Sequence, residues 1–306
     1  MTAQLLYTLD IDASGAVSLA EAANAGQVPP GLTHLISLSI DGQEYLLGAD
    51  PNGNATLFPL LSAEPFIFHG IPISLNVGRF DMVRAFTLAN QAYLITYAAG
   101  SGDLYFFSLD ADGTVSKPYH YYRKRQPGLT TGWSTFETFT YLNSPYFLAY
   151  NDSTGDVDLF GISAKSVSAG GIPPLLCSNV WSWTWAKGWG NFAFFQLGGE
   201  NFFFKINRPY PNINIDHLST DPASRSNEVG THLEMPDWQE IGIVRALTPD
   251  EGTPFLLTYQ ADGKVAFHRI YADCQGWRDQ APISIATGVS QIVTYRLGSQ
   301  SFVLFY

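Results

Sequence analysis

Five polar residues interrupt otherwise apolar, alternating stretches of this chain: His34, Arg84, Glu137, Arg245 and Arg296. A charge inside an apolar strand is costly unless it is paired or meets a ligand. Each is therefore a candidate either for a site or for a structural ion pair. Glu137, Arg84, Arg245 and His34 are the types that acid–base or electrostatic catalysis uses without a cofactor. Arg84 or Arg245 with Glu137 equally suits a pair with no substrate involved. The chain contains no G-x-S-x-G elbow, H-E-x-x-H, C-x-x-C, phosphate loop or dinucleotide fingerprint. Its six histidines show no ligand spacing, so neither a metal nor another cofactor is expected.

The aromatic residues supply a second set of candidates. "CSNVWSWTWAKGWG" (177–190) carries Trp181, Trp183, Trp185 and Trp189. Tryptophans at period two place several rings on one face of a strand, where they either stack on an apolar ligand or thicken a core. "KPYHYYRKR" (117–125) offers Tyr119, His120, Tyr121 and Arg123 as a rim or as an edge strand protected by charge. The ligand-binding candidates are thus Trp183, Trp185, Tyr119, His120 and Arg296. Acidic turns such as "DIDASG" (10–15) and "DPNGN" (50–54) space oxygens as a hard cation would want, but Asp and Asn also start hairpin turns unaided. The plain-turn reading is preferred. The basic run Arg123–Lys124–Arg125 reads as a solvated loop.

The elements that hold these residues repeat. "EYLLGADPNGNATLFPL" (44–60), "AYLITYAAGSGDLYFFSL" (92–109), "PYFLAYNDSTGDVDLFGI" (145–162), "NFFFKINRPYPNINIDHL" (201–218) and "PFLLTYQADGKVAFHRI" (254–270) each spell one β-hairpin, and "SFVLFY" (301–306) begins a sixth. The anchors Tyr45, Tyr93, Tyr146, Phe202, Phe255 and Phe302 are 48, 53, 56, 53 and 47 residues apart. A period of that size is a blade repeat. Every hairpin has a strand before it, and a less regular fourth strand usually follows. "LLYTLDIDASGAVS" (5–18) runs in step with "LYFFSLDADGTVS" (104–116), so the N-terminus supplies the strands that the sixth unit lacks. The fold class is all-β: a six-bladed β-propeller of about four antiparallel strands per blade, closed by the N-terminal strands, with 1–306 as one domain. Trp133, Trp189 and Trp238 are expected to pack between blades, and Gly15, Gly113, Gly155 and Gly263 to serve turns.

In its architecture, and in the Gly-Trp starts "GWSTF" (132–136) and "GWGNF" (188–192), the chain resembles the six-bladed fucose-binding lectins and tachylectin-like propellers. The resemblance implies carbohydrate recognition. The fucose-binding family uses an Arg, a Glu and an aromatic in nearly every blade. No such triad recurs here, so no site residue is carried over.

Composition narrows the partners. The 306 residues have a net charge of −11, which opposes binding to nucleic acid or an anionic membrane surface. Two cysteines are too few for a disulfide framework. The opening "MTAQLLYTLDIDASG" has no basic or apolar leader, which points to the cytoplasm or to a processed secreted form. The leading functional expectation is a lectin-like propeller binding a carbohydrate or other small ligand. The alternative is a cofactor-independent cyclase, isomerase or lyase with one pocket on the propeller axis, and a third is a protein-interaction platform. Oligomeric state is not legible at this level.

Overall fold

The computed structural model describes residues 4–12, 14–22, 28–60, 70–123, 126–141, 143–164, 175–221, 224–247 and 253–306. Lys124 and Arg125 of the basic run lie outside the described residues.

Six antiparallel blades follow the predicted repeat. Blade 1 comprises His34–Ile40, Gln43–Ala49, Asn54–Pro59 and Ile71–Ser74, and blade 2 Met82–Leu88, Gln91–Ala98, Asp103–Leu109 and Tyr119–His120. Blade 3 is built from Thr135–Tyr141, Ser144–Tyr150, Asp156–Ala164 and Leu175–Thr184. Blade 4 has Trp189–Leu197, Glu200–Asn207, Asn212–Leu218 and Ser226–His232. Blade 5 has Ile241–Leu247, Phe255–Gln260, Lys264–Ile270 and Trp277–Asp279, with Ile283–Ser284 also pairing its third strand. Blade 6 combines Ile292–Leu297 and Gln300–Phe305 with the N-terminal strands Leu5–Ile11 and Val17–Glu21. The fold is the six-bladed β-propeller. Two compact units are distinguishable. Residues 24–151 and 156–183 hold blades 1–3, and residues 1–23, 152–155 and 184–306 hold blades 4–6.

The repeated aromatic has one structural job. Each anchor lies directly opposite a bulky residue of the first strand: Leu38 with Tyr45, Phe86 with Tyr93, Phe139 with Tyr146, Phe195 with Phe202, Leu247 with Phe255 and Tyr295 with Phe302. In blades 2, 3, 4 and 6 the two rings stack, with centroids 5.3–5.7 Å apart. Cross-strand pairs of this kind are the unit of sheet stabilisation. Trp133 is buried in a core shared by blades 2 and 3, and Trp238 packs between Phe204 of blade 4 and Trp277 of blade 5.

A second device repeats through the side chain of a glutamine. Gln43, Gln91 and Gln300 each open a second strand, and each donates its side-chain amide to a carbonyl at the end of the third: Leu60, Leu109 and Leu9 respectively. Leu9 thus stands where Leu109 stands in blade 2. This confirms that the N-terminal strand enters blade 6 in the expected register, Leu5 opposite Phe305 and Leu9 opposite Ser301.

The acidic turns are closed on themselves. Asp12 accepts from the Ser14 amide and hydroxyl and from the Ala16 amide, and Asp50 accepts from the amides of Asn52 and Asn54 and from the Asn54 side chain. These bonds to the ionised form hold both carboxyls below the ordinary range, led by Ser14 for Asp12 and Asn54 for Asp50. Gly155 shows why a turn glycine is needed. Its φ is +85°, and a Cβ there would lie 2.2 Å from the Trp185 carbonyl oxygen. Gly155→Ala is expected to cost about 2–3 kcal/mol, read as a lower urea midpoint, because it combines a left-handed backbone with a backbone clash.

Candidate functional site

Neighbouring blades within each unit adjoin along their first strands. Arg84, Glu137 and Arg245 occupy the same rung of blades 2, 3 and 5, two residues before the residue opposite the anchor aromatic, and lie opposite Ile95, Leu148 and Leu257. There they act as struts. Arg84 of blade 2 grips Glu137 of blade 3 with two hydrogen bonds, Nε to Oε2 at 2.9 Å and Nη2 to Oε1, while its Nη1 donates to the Val83 carbonyl. Thr138 continues the seam by donating to the Ala85 carbonyl at 2.9 Å. Arg245 of blade 5 donates to the Ile292 carbonyl of blade 6 at 2.8 Å and to its own neighbour Val244. The Arg84–Glu137 pair anticipated as a structural alternative is therefore formed, and both carboxylate oxygens of Glu137 are engaged. His34 lies at the start of its strand against the Phe80 ring, 5.4 Å away. Burial, aided by the Arg84 charge and opposed by Asp81, pulls it down to about 4, so it is uncharged at neutral pH.

The tryptophan-rich stretch divides its rings among different tasks. Trp181 is buried, whereas Trp183, on the outer strand of blade 3, is 52% exposed. Trp185 lies beyond that strand and serves a buried lysine. The Lys205 ammonium sits 4.2 Å from the Trp185 ring, 4.6 Å from the Trp189 ring and 5.3 Å from the Phe203 ring, and it pairs with Asp216 at 2.5 Å. Register explains the cage. Phe203 lies opposite Asp216, and Lys205 is two residues further along the same strand and so on the same face. Burial lowers Lys205 and raises Asp216, each partly offset by the other.

Tyr119 and His120 form the outer strand of blade 2. The His120 ring stacks on Tyr105 at 4.4 Å, is tilted against Tyr122 at 4.3 Å, and places Nε2 2.9 Å from Asp103 Oδ1. Tyr119 is half-exposed beside it. In blade 5, His268 bridges Asp279 at 2.6 Å and Thr258 at 2.8 Å. The order Thr–His–Asp resembles a nucleophile relay, but Thr258 is buried, so the chain of bonds is structural.

Arg296 occupies different surroundings. It lines a cleft of about 320 Å3 at the end of blade 6 nearest blade 5. Leu9, Leu247 and Phe302 form an apolar wall, and Asp10, Thr294 and Ser301 add polar groups. Arg296 lies opposite Ser301, and Ser301 opposite Leu9, the residue before Asp10. Residues from both chain ends therefore line one cleft, and the Arg296 side chain shares a face with Ser301 and Leu9. The set is not repeated. Ser39, Thr87, Thr140 and Gln196 stand in blades 1–4 where blade 6 has Arg296, and Tyr295 replaces the Leu or Phe of the other five stacked positions. Asp10 was legible only as part of an acidic turn.

Solved structures of the same fold align over most of the chain. The SapL1 lectin in complex with alpha methyl fucoside superposes with a TM-score of 0.54 at 9% identity, over 89% of this chain and 87% of its own. A thermostable family-43 glycoside hydrolase gives 0.51 at 10% identity, over 87% and 97%, and BBS1N in complex with ARL6DN gives 0.51 at 9% identity, over 98% and 87%. No family model and no curated protein matches the chain. Likeness at these identities establishes the fold, which hosts binding, hydrolysis and protein assembly alike. No helix among the described residues is long and apolar enough to cross a membrane.

Proposed function

We propose that the chain is a lectin-like propeller that binds a carbohydrate in the blade 6 cleft, with 1–306 acting as one domain. The observation that carries this reading is the cleft itself: Arg296, Thr294 and Ser301 beside the apolar Leu9 and Leu247, in a volume suited to one small ligand. Sugars present the matching surface, with hydroxyls at their edges and C–H groups on their faces. The lectin neighbour that holds a methyl fucoside supports a sugar ligand on this architecture. Catalysis is less well supported, because Arg84 and Glu137 are committed to each other.

Glycan-array screening followed by titration calorimetry tests the proposal. One site per chain is expected, because the polar set occurs in one blade. Arg296→Ala is expected to weaken binding by about 10- to 100-fold, the scale of a charge-assisted hydrogen bond. Several equivalent sites, or an affinity indifferent to Arg296→Ala, would rule the cleft out.

A further inference from the structure

We infer that blade 2 carries a second binding site, over the hydroxyl of Thr96, for the ammonium head of a small primary amine. The site is separate from the blade 6 cleft and independent of its ligand. Thr96 is 1% exposed, and its Oγ1 has no hydrogen-bond partner among the described residues. A buried polar atom left unsatisfied is costly and marks a place where a partner belongs. Thr96 lines a cavity of about 60 Å3 together with Ala98, Asp103 and Tyr105 of its own blade, and Arg79 lies on the facing segment 77–80. Register puts the four blade 2 side chains on one face: Thr96 lies opposite Tyr105, and Ala98 opposite Asp103, two residues further on. Tyr97 and Leu104, which pair between them and point the other way, do not line the cavity. Thr96 and Asp103 are thus diagonal neighbours with Cβ atoms about 7 Å apart, a gap that one small ligand can bridge.

Other blades show what this rung can hold. Thr96 stands three residues after the anchor Tyr93, as Lys205 stands three after Phe202 and Thr258 three after Phe255. In blade 4 the rung supplies an ammonium of its own, held by Asp216 and three rings. In blade 5 the Thr258 hydroxyl meets His268 Nε2 at 2.8 Å. In blade 2 the hydroxyl has neither kind of partner and faces a cavity. A primary ammonium donates three hydrogen bonds and accepts none, and the Thr96 hydroxyl and the Asp103 carboxylate both accept. Asp103 Oδ1 lies 2.9 Å from His120 Nε2, and Oδ2 accepts from Ser101 Oγ at 2.5 Å, which leaves each oxygen a further lone pair. The Tyr105 ring on the same face favours a cation, and the net charge of −11 attracts one from a distance. Arg79 is the single cation among the described lining residues and opposes binding, but it is exposed and screened by solvent.

The test is an NMR titration of the isotope-labelled full chain with methylammonium, tetramethylammonium and acetate at matched ionic strength. Methylammonium is expected to shift the Thr96 and Asp103 amide signals saturably, with a Kd of roughly 5–50 mM, near the ceiling for so small a ligand. Tetramethylammonium, which cannot donate a hydrogen bond, and acetate, which carries the wrong charge, should leave those signals in place. Thr96→Val keeps the shape and deletes an unsatisfied group, so it should fold at least as stably while weakening methylammonium binding about three- to tenfold. Arg79→Ala, on the surface, should strengthen binding by about twofold or more by removing the opposing charge. Absence of a saturable methylammonium shift, an equal response to tetramethylammonium or acetate, unchanged affinity in Thr96→Val, or weaker binding in Arg79→Ala each overturns the site.

Discussion

Lys205→Ala is expected to destabilise the chain by about 3–5 kcal/mol, among the largest effects of any single substitution here. The variant leaves Asp216 buried, at 2% exposure, without its counter-charge. It also empties a cage whose rings lie 4.2 and 4.6 Å from the ammonium. The native pair is itself incomplete, since Asp216 Oδ1 has no hydrogen-bond partner among the described residues. A buried ion pair with a missing partner contributes little over an apolar replacement, yet breaking it from one side is costly. Asp216→Asn should therefore cost less than Lys205→Ala, because the three rings still solvate the ammonium. The double variant Lys205→Met with Asp216→Leu should recover most of the loss. Urea unfolding of the four proteins distinguishes these cases. If Lys205→Ala stays within about 0.5 kcal/mol of the parent, the cage is not the structural element described here.

Deleting residues 1–22 is expected to lower the thermal midpoint by more than about 10 °C or to cause aggregation. The deletion removes two strands of blade 6 and leaves Gln300–Phe305 as a bare edge. Buried Leu9 is lost from a core that also holds Leu247, Phe255 and Val303, together with the partly buried Leu5, Tyr7 and Ile11 packed on it. The Asp10 side of the cleft disappears as well, so sugar binding should be abolished even in whatever fraction remains folded. Calorimetric unfolding and size-exclusion chromatography measure the first effect and ligand titration the second. A truncated chain with an unchanged midpoint would mean that the N-terminal strands are not the completion of blade 6.

The anchor aromatics show how far sequence reaches. Tyr45, Tyr93, Tyr146, Phe202, Phe255 and Phe302 were identifiable by spacing alone, and each proves to be a cross-strand partner at the same rung. Alternation at period two and turns at Gly155 or Asp50 are decided within a few residues, so a local pattern is enough to read them. Closure through the N-terminus was legible for the same reason. The stretch ending Leu9–Asp10 copies the one ending Leu109–Asp110, and the copied strand takes the copied place.

Roles that depend on which rung meets which across blades were not legible. Arg84 and Glu137 are 53 residues apart and were read with equal weight as catalysts or as a pair. The pairing follows from first strands lying side by side, which brings the same rung of consecutive blades into reach. The tryptophan run suits a ligand platform and a thickened core equally well. Its Trp185 and Trp189 surround Lys205, an internal cation brought to them by the neighbouring strand of blade 4. Asp10 and Arg296 stand 286 positions apart in the chain and share a cleft because two chain ends complete one blade. The sequence by itself thus determined the fold class, the repeat, the strand order and the seam, since these rest on local periodicity and turn chemistry. Tertiary structure alone decided which polar residues are struts and which face a cleft, because burial and pairing are properties of side chains brought together from distant turns of the repeat.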